Sequence, residues 1–118
     1  MLKSMSKNMK SLFDRICMKT VLGELKWDMT EESGVFQTSI LLYNVRIKGD
    51  EENPLYGYID IYNVSGEKII RIRPLDMGYQ SHCNESSRWI EQAYCSARRQ
   101  VMHVEEALDE INKALNKL

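Results

Sequence analysis

Cysteine is scarce in this chain and unpaired. Cys17, Cys83 and Cys95 are odd in number, no CxxC pair occurs, and a disulfide scaffold is not expected. The only soft ligands that can cluster are His82-Cys83, Cys95 and His103, and their spacing matches no zinc pattern, so neither a metal nor a cofactor is expected. Glycines number six and occur singly, with no phosphate-cradling loop of the Walker or GxGxxG kind and no G-x-S-x-G elbow. Neither histidine stands in a nucleophilic constellation. The acid pairs Glu31-Glu32, Glu51-Glu52 and Glu105-Glu106 are adjacent residues that solvated charge explains. The expectation is a protein that is not an enzyme.

Long apolar runs are also missing. The longest, Ile40-Leu41-Leu42-Tyr43, is far too short to span a bilayer. The basic first segment lacks the continuous apolar stretch of a signal peptide. These absences point to a cytoplasmic protein with no membrane partner. The net charge of −1 argues against nucleic-acid binding by bulk charge alone. The charge is nevertheless uneven. Residues 1–20 hold Lys3, Lys7, Lys10, Arg15 and Lys19 against Asp14, whereas the last fifteen residues hold Glu105, Glu106, Asp109 and Glu110 against Lys113 and Lys117.

What the chain does have is periodicity. Ile90, Tyr94, Ala97, Val101, Val104, Leu108, Ile111, Leu115 and Leu118 step by four and three residues. This heptad seam predicts one long C-terminal helix over 86–118, about 50 Å in length, with Asn84 and Glu85 as its cap and acidic first turn. Ser86, Ala93, Gln100, Ala107 and Ala114 form a second, mostly small row beside the seam. At the other end Leu2, Met5, Met9, Leu12 and Ile16, widened by Phe13, predict a short basic amphipathic N-terminal helix over 2–18.

Between the helices the period falls to two. Strands are expected at 20–29, 35–48, 55–64 and 67–73, with a first helix prolonged through Val21, Leu22 and Leu25 as the alternative to the first of them. Ser65-Gly66 reads as a tight turn, and Pro74 ends the last strand. In the second strand one face reads Leu41, Tyr43, Val45, Ile47 and the other Phe36, Thr38, Ile40, Leu42, Asn44, Arg46, Lys48. The predicted fold is therefore a single α+β domain over 1–118, a four-stranded antiparallel meander flanked by a short and a long helix.

Two surfaces follow. The first helix is half the length of the last, which leaves residues 101–118 as a projecting or dimerising end with Val101, Val104, Leu108, Ile111, Leu115 and Leu118 as the homodimer interface. On the sheet, if Ile59, Ile61, Ile70 and Ile72 face the helices, then Tyr56, Tyr58, Tyr62, Arg71 and Arg73 turn to the open side with Arg46 and Lys48. Tyrosine and arginine there suit a protein-binding surface, a platform for single-stranded nucleic acid, or simple cross-strand pairing on a solvated face with Asp60 and Glu67. The function expected is a small protein-interaction module, an adaptor or stoichiometric inhibitor of the kind mobile elements and phages carry, that dimerises and binds an unidentified protein target. A nucleic-acid-binding regulator using the Tyr/Arg face is the alternative.

Overall fold

The computed structural model describes residues 2–77 and 85–118. Asn84, His82 and Cys83 therefore lie outside the described residues. The chain is α+β: among the described residues three helices lie with a five-stranded antiparallel sheet.

Helix α1 spans Leu2–Val21, three residues beyond the expected end. It stops at Gly23, whose φ of +76° admits the left-handed turn. The Gly23 N–H donates to the Thr20 carbonyl and the Glu24 N–H to the Lys19 carbonyl, the paired bonds of a Schellman cap. The expected strand over 20–29 is thus mostly helix end and loop. Only β1, Asp28–Met29, joins the sheet. The alternation of Val21, Gly23, Leu25 and Trp27 reflected a capping glycine rather than a pleat.

The expected strand over 35–48 is a hairpin of two strands, β2 (Phe36–Ile40) and β3 (Tyr43–Lys48). Ile40 pairs with Tyr43, leaving Leu41-Leu42 as a two-residue turn with Leu41 at φ +57°. Such turns ordinarily announce themselves with Gly or Asn, and this one carries neither. The reversal also corrects the faces. Phe36 lies opposite Ile47 and Thr38 opposite Val45, so all four point to the helices. Strands β4 (Tyr58–Tyr62) and β5 (Lys68–Ile72) follow, joined by a turn in which the Asn63 side chain accepts from the Ser65 and Glu67 N–H groups. A 3-10 turn at Pro54–Tyr56 replaces the first residues of the expected third strand, and another at Pro74–Met77 follows β5. The sheet is a meander in the order β1-β2-β3-β4-β5.

The expected long helix is two: α2 (Glu85–Val101) and α3 (Val104–Asn116). The break is at Met102-His103, with His103 at φ +53°, a region histidine tolerates better than most residues. The expected seam therefore does not run along one helix: Ile90 and Ala97 are buried on α2, whereas Leu108, Ile111 and Leu115 are exposed on α3. A repeat of four and three residues presupposes an unbroken helix, and the turn at His103 removes that condition.

The core lies between the sheet and the α1/α2 layer. Phe13, Ile16 and Cys17 of α1 meet Ile90, Ala93 and Ala97 of α2 over Phe36, Val45, Ile47, Ile59 and Ile72. Ser86 donates to Asp14 at 2.9 Å, and Lys10 to Asp14 at 2.7 Å. At the other end Gln100 grips the 25–27 loop: its amide donates to the Leu25 carbonyl and its oxygen accepts from the Trp27 N–H. Buried Trp27 donates in turn to Thr20 at 3.1 Å. Of the small row beside the seam, Ser86 and Ala93 are buried whereas Ala107 and Ala114 are exposed.

Candidate interaction surfaces

The open face of the sheet is organised around one carboxylate. Asp60 is the middle residue of β4, and alternation turns it away from Ile59 and Ile61. It is only 2% exposed although it faces away from the core, because neighbouring side chains cover it. Arg71, directly across on β5, grips it with two hydrogen bonds, Nε to Oδ1 at 2.8 Å and Nη2 to Oδ2 at 2.9 Å. Lys68 adds an ion pair at 3.3 Å. A slip in pairing beside Tyr62 brings Lys68 opposite it.

The cations also lie over aromatic rings. The Arg71 guanidinium is 3.8 Å from the Tyr58 ring centre, and Arg46 and Lys68 stand 5.0 and 5.8 Å from that of Tyr62. Arg46 donates to Asn44 at 3.2 Å and to Glu31 at 3.0 Å. Together these groups wall a hollow of about 370 Å³ whose rim includes the Glu31-Glu32 turn. The Asp60 hydrogen bond holds Arg71 more firmly protonated than usual. A backbone hydrogen bond and then Arg46 hold the Glu31 carboxyl below the ordinary range. Burial pushes the Tyr58 phenol up.

Of the residues expected here, the hollow brings together Arg46, Tyr58, Tyr62 and Arg71. Lys48 stands outside its walls, opposite Tyr58 in register. Tyr56 is removed from the face because it belongs to a 3-10 turn. Arg73 lies beyond β5 and pairs through two 2.9 Å hydrogen bonds with Asp76. Sequence reasoning missed Lys68, Glu31 and Glu32 as members. Lys68 is displaced onto the site by a register shift, and the glutamates arrive from a turn distant in sequence.

The second surface is α3. Val101 packs against the core and Val104 is half-buried. Beyond them Leu108 is 49% exposed, Ile111 56%, Leu115 58% and Leu118 100%. The molecule measures 63 × 37 × 23 Å. The polar side of α3 carries Glu106 at 3.6 Å from His103 and Asp109 at 3.5 Å from Lys113, and Glu105 bonds back to Arg99 on α2.

Other features are structural or isolated. Tyr94 donates to the Gly34 carbonyl at 2.6 Å and stacks on Phe36 with centroids 5.4 Å apart. A groove of about 350 Å³ between α1 and β5, lined by Leu12, Ile40, Leu41 and Ile69, was not foreseen, because it depends on the Leu41-Leu42 turn. Cys17 is buried, and burial pushes its thiol up, whereas Cys95 is exposed. Among the described residues no three His, Cys, Asp or Glu side chains come together as metal ligands, and no helix is long and apolar enough to cross a membrane. Comparison with family models, with curated proteins and with solved structures returns no match for this chain.

Proposed function

We propose that this chain is a non-enzymatic interaction module that joins a second copy of itself through α3 and offers the open sheet face to a protein target. The observation that carries the reading is the stripe Leu108, Ile111, Leu115 and Leu118, which none of the described residues buries. Aliphatic side chains gain about 1.5–3 kcal/mol each on full burial, so a helix that holds four of them in water has a strong incentive to find a partner surface. The position of α3, outside the α1/α2 layer and hinged at His103, leaves the sheet free for a different contact.

Mixed charge favours a protein over a nucleic acid at the sheet. Arg46, Lys68 and Arg71 are matched in number by Glu31, Glu32 and Asp60 around the hollow. A phosphate backbone rewards an excess of cations, whereas protein partners use tyrosine and arginine anchors within a balanced rim. Multi-angle light scattering at tens of micromolar tests the self-association, with a dimer mass expected. For the sheet face, a tagged chain should lose its protein partner on Arg46→Glu and keep it on Leu108→Asp. Loss on the second substitution and retention on the first would assign target binding to α3 instead.

A further inference from the structure

Resting on the reading that the open sheet face binds a protein, we infer that the hollow over Asp60 receives an acidic side chain of that partner, and that Glu31 holds its place in the free chain. The match in number between cations and acids around the hollow conceals a difference in depth. Asp60 lies at the floor, 2% exposed, and both of its oxygens are taken by Arg71, with Lys68 sharing one of them. Covered and engaged, Asp60 is not open to a visitor. The donors are not used up. Arg46 gives Nε to Asn44 and Nη1 to Glu31, which leaves Nη2. Lys68 spends one of three N–H groups on Asp60, and among the described residues neither the Tyr58 nor the Tyr62 hydroxyl is hydrogen-bonded. A wall of spare donors around a spent carboxylate suits an incoming anion.

Glu31 marks the place for that anion. Its carboxylate stands 3.0 Å from Arg46 Nη1, yet its side chain is 75% exposed against 23% for Arg46. The turn that delivers it is tied by other groups: Thr30 Oγ1 donates to the Val35 carbonyl at 2.8 Å and accepts from the Glu32 N–H at 3.1 Å. The turn therefore keeps its shape when the Glu31 side chain swings out. Exposed ion pairs are worth little, so a partner's carboxylate can take Arg46 from Glu31 at small cost. The cations are held ready for it. Tyr62, on the strand between them, has Arg46 and Lys68 at 5.0 and 5.8 Å from its ring centre, and Arg71 lies 3.8 Å from that of Tyr58. Side chains already ordered by rings and by Asp60 lose little freedom on binding. A carboxylate is favoured over a phosphate group, because Glu32 stays on the rim and repels a double charge more than a single one.

Fluorescence anisotropy of the full-length chain with fluorescein-labelled octaglutamate tests the assignment, with octaglutamine as the neutral control and salt held low because exposed charges are screened. Octaglutamate should bind and octaglutamine should not. Glu31→Gln, which neutralises the placeholder, should tighten octaglutamate binding about two- to fivefold. Glu32→Gln removes the same charge without touching Arg46 and should tighten it less. Arg46→Gln should weaken binding about tenfold. Tyr62→Phe, which keeps the ring and removes one spare donor, should also weaken it, with an unchanged urea midpoint. Equal gains from Glu31→Gln and Glu32→Gln would reduce the hollow to general charge attraction and overturn the inference. So would octaglutamate left unbound by both the unmodified and the Glu31→Gln chains, or inorganic phosphate displacing the peptide at lower concentration than glutarate does at matched ionic strength. The sheet-face reading fails separately. A tagged chain that loses its protein partner on Arg46→Glu while octaglutamate goes unbound leaves that reading standing and overturns only the acidic partner, whereas a partner kept on Arg46→Glu removes both.

Discussion

Replacing Leu108 and Leu115 with aspartate should dissociate the proposed pair without unfolding the domain. In the single chain Leu108 is 49% and Leu115 58% exposed, so about half of each side chain remains to be buried on association. Full burial of a leucine is worth about 1.5–3 kcal/mol, which leaves roughly 0.8–1.5 kcal/mol per side chain. Two leucines from each of two chains then contribute about 3–6 kcal/mol. At about 1.4 kcal/mol per factor of ten, the dissociation constant should rise by roughly 10²- to 10⁴-fold. Aspartate adds charge to a helix already carrying four acids in its first half, so the upper part of that range is expected. The domain itself should lose little, because exposed substitutions usually change stability by no more than about 0.5 kcal/mol each. Sedimentation velocity across a concentration series reads the first quantity, and urea unfolding at the lowest concentration reads the second. An unchanged association constant would refute the assignment of the interface to α3. A collapse of the urea midpoint at the lowest concentration would mean that α3 supports the body it projects from.

Four further outcomes follow from the geometry. Arg71→Ala should lower stability in urea by about 1–3 kcal/mol because it strips a covered carboxylate of two hydrogen bonds, and Lys68→Ala, which removes only the 3.3 Å ion pair to Asp60, should cost less. Gly49→Ala should destabilise by about 1–3 kcal/mol, since its Cβ would come within 2.5 Å of the Tyr94 ring, and the penalty should shrink in a Tyr94→Leu background where that ring is gone. In a Cys83→Ser chain a thiol reagent should modify Cys95 quickly and Cys17 only on unfolding, because Cys17 is buried and its thiol is held protonated. Burial raises the Tyr94 phenol above its ordinary value of 10.0, so unfolded chains ionise first; its contribution is complete below about pH 10 and is lost as pH rises through the folded value. Guanidinium midpoints should therefore fall less steeply above that pH in Tyr94→Phe, and equal slopes would count against the assignment.

The helical and strand periods in the chain determined a good deal by themselves. The α+β class, the antiparallel meander, and the core-facing identity of Val45, Ile47, Ile59 and Ile72 all follow from period, because a buried face needs apolar residues at the spacing of its element. So does the placing of Tyr58, Tyr62 and Arg71 on the side opposite the core. What period cannot carry is where an element ends when the usual punctuation is missing or disguised. Leu41 turns the chain at positive φ without glycine, and His103 breaks the helix in the same manner, so both boundaries were invisible. Gly23 was legible as a strand position until the α1 cap claimed it. The hollow around Asp60 lay further from reach. Its members come from β3, β4, β5 and the turn after β1, and Lys68 enters only through a register slip beside Tyr62. A sequence records which side chains share a face of one strand. Which strands lie side by side, and in what register, is decided by the burial of the whole sheet against its helices, and only the tertiary structure holds that information.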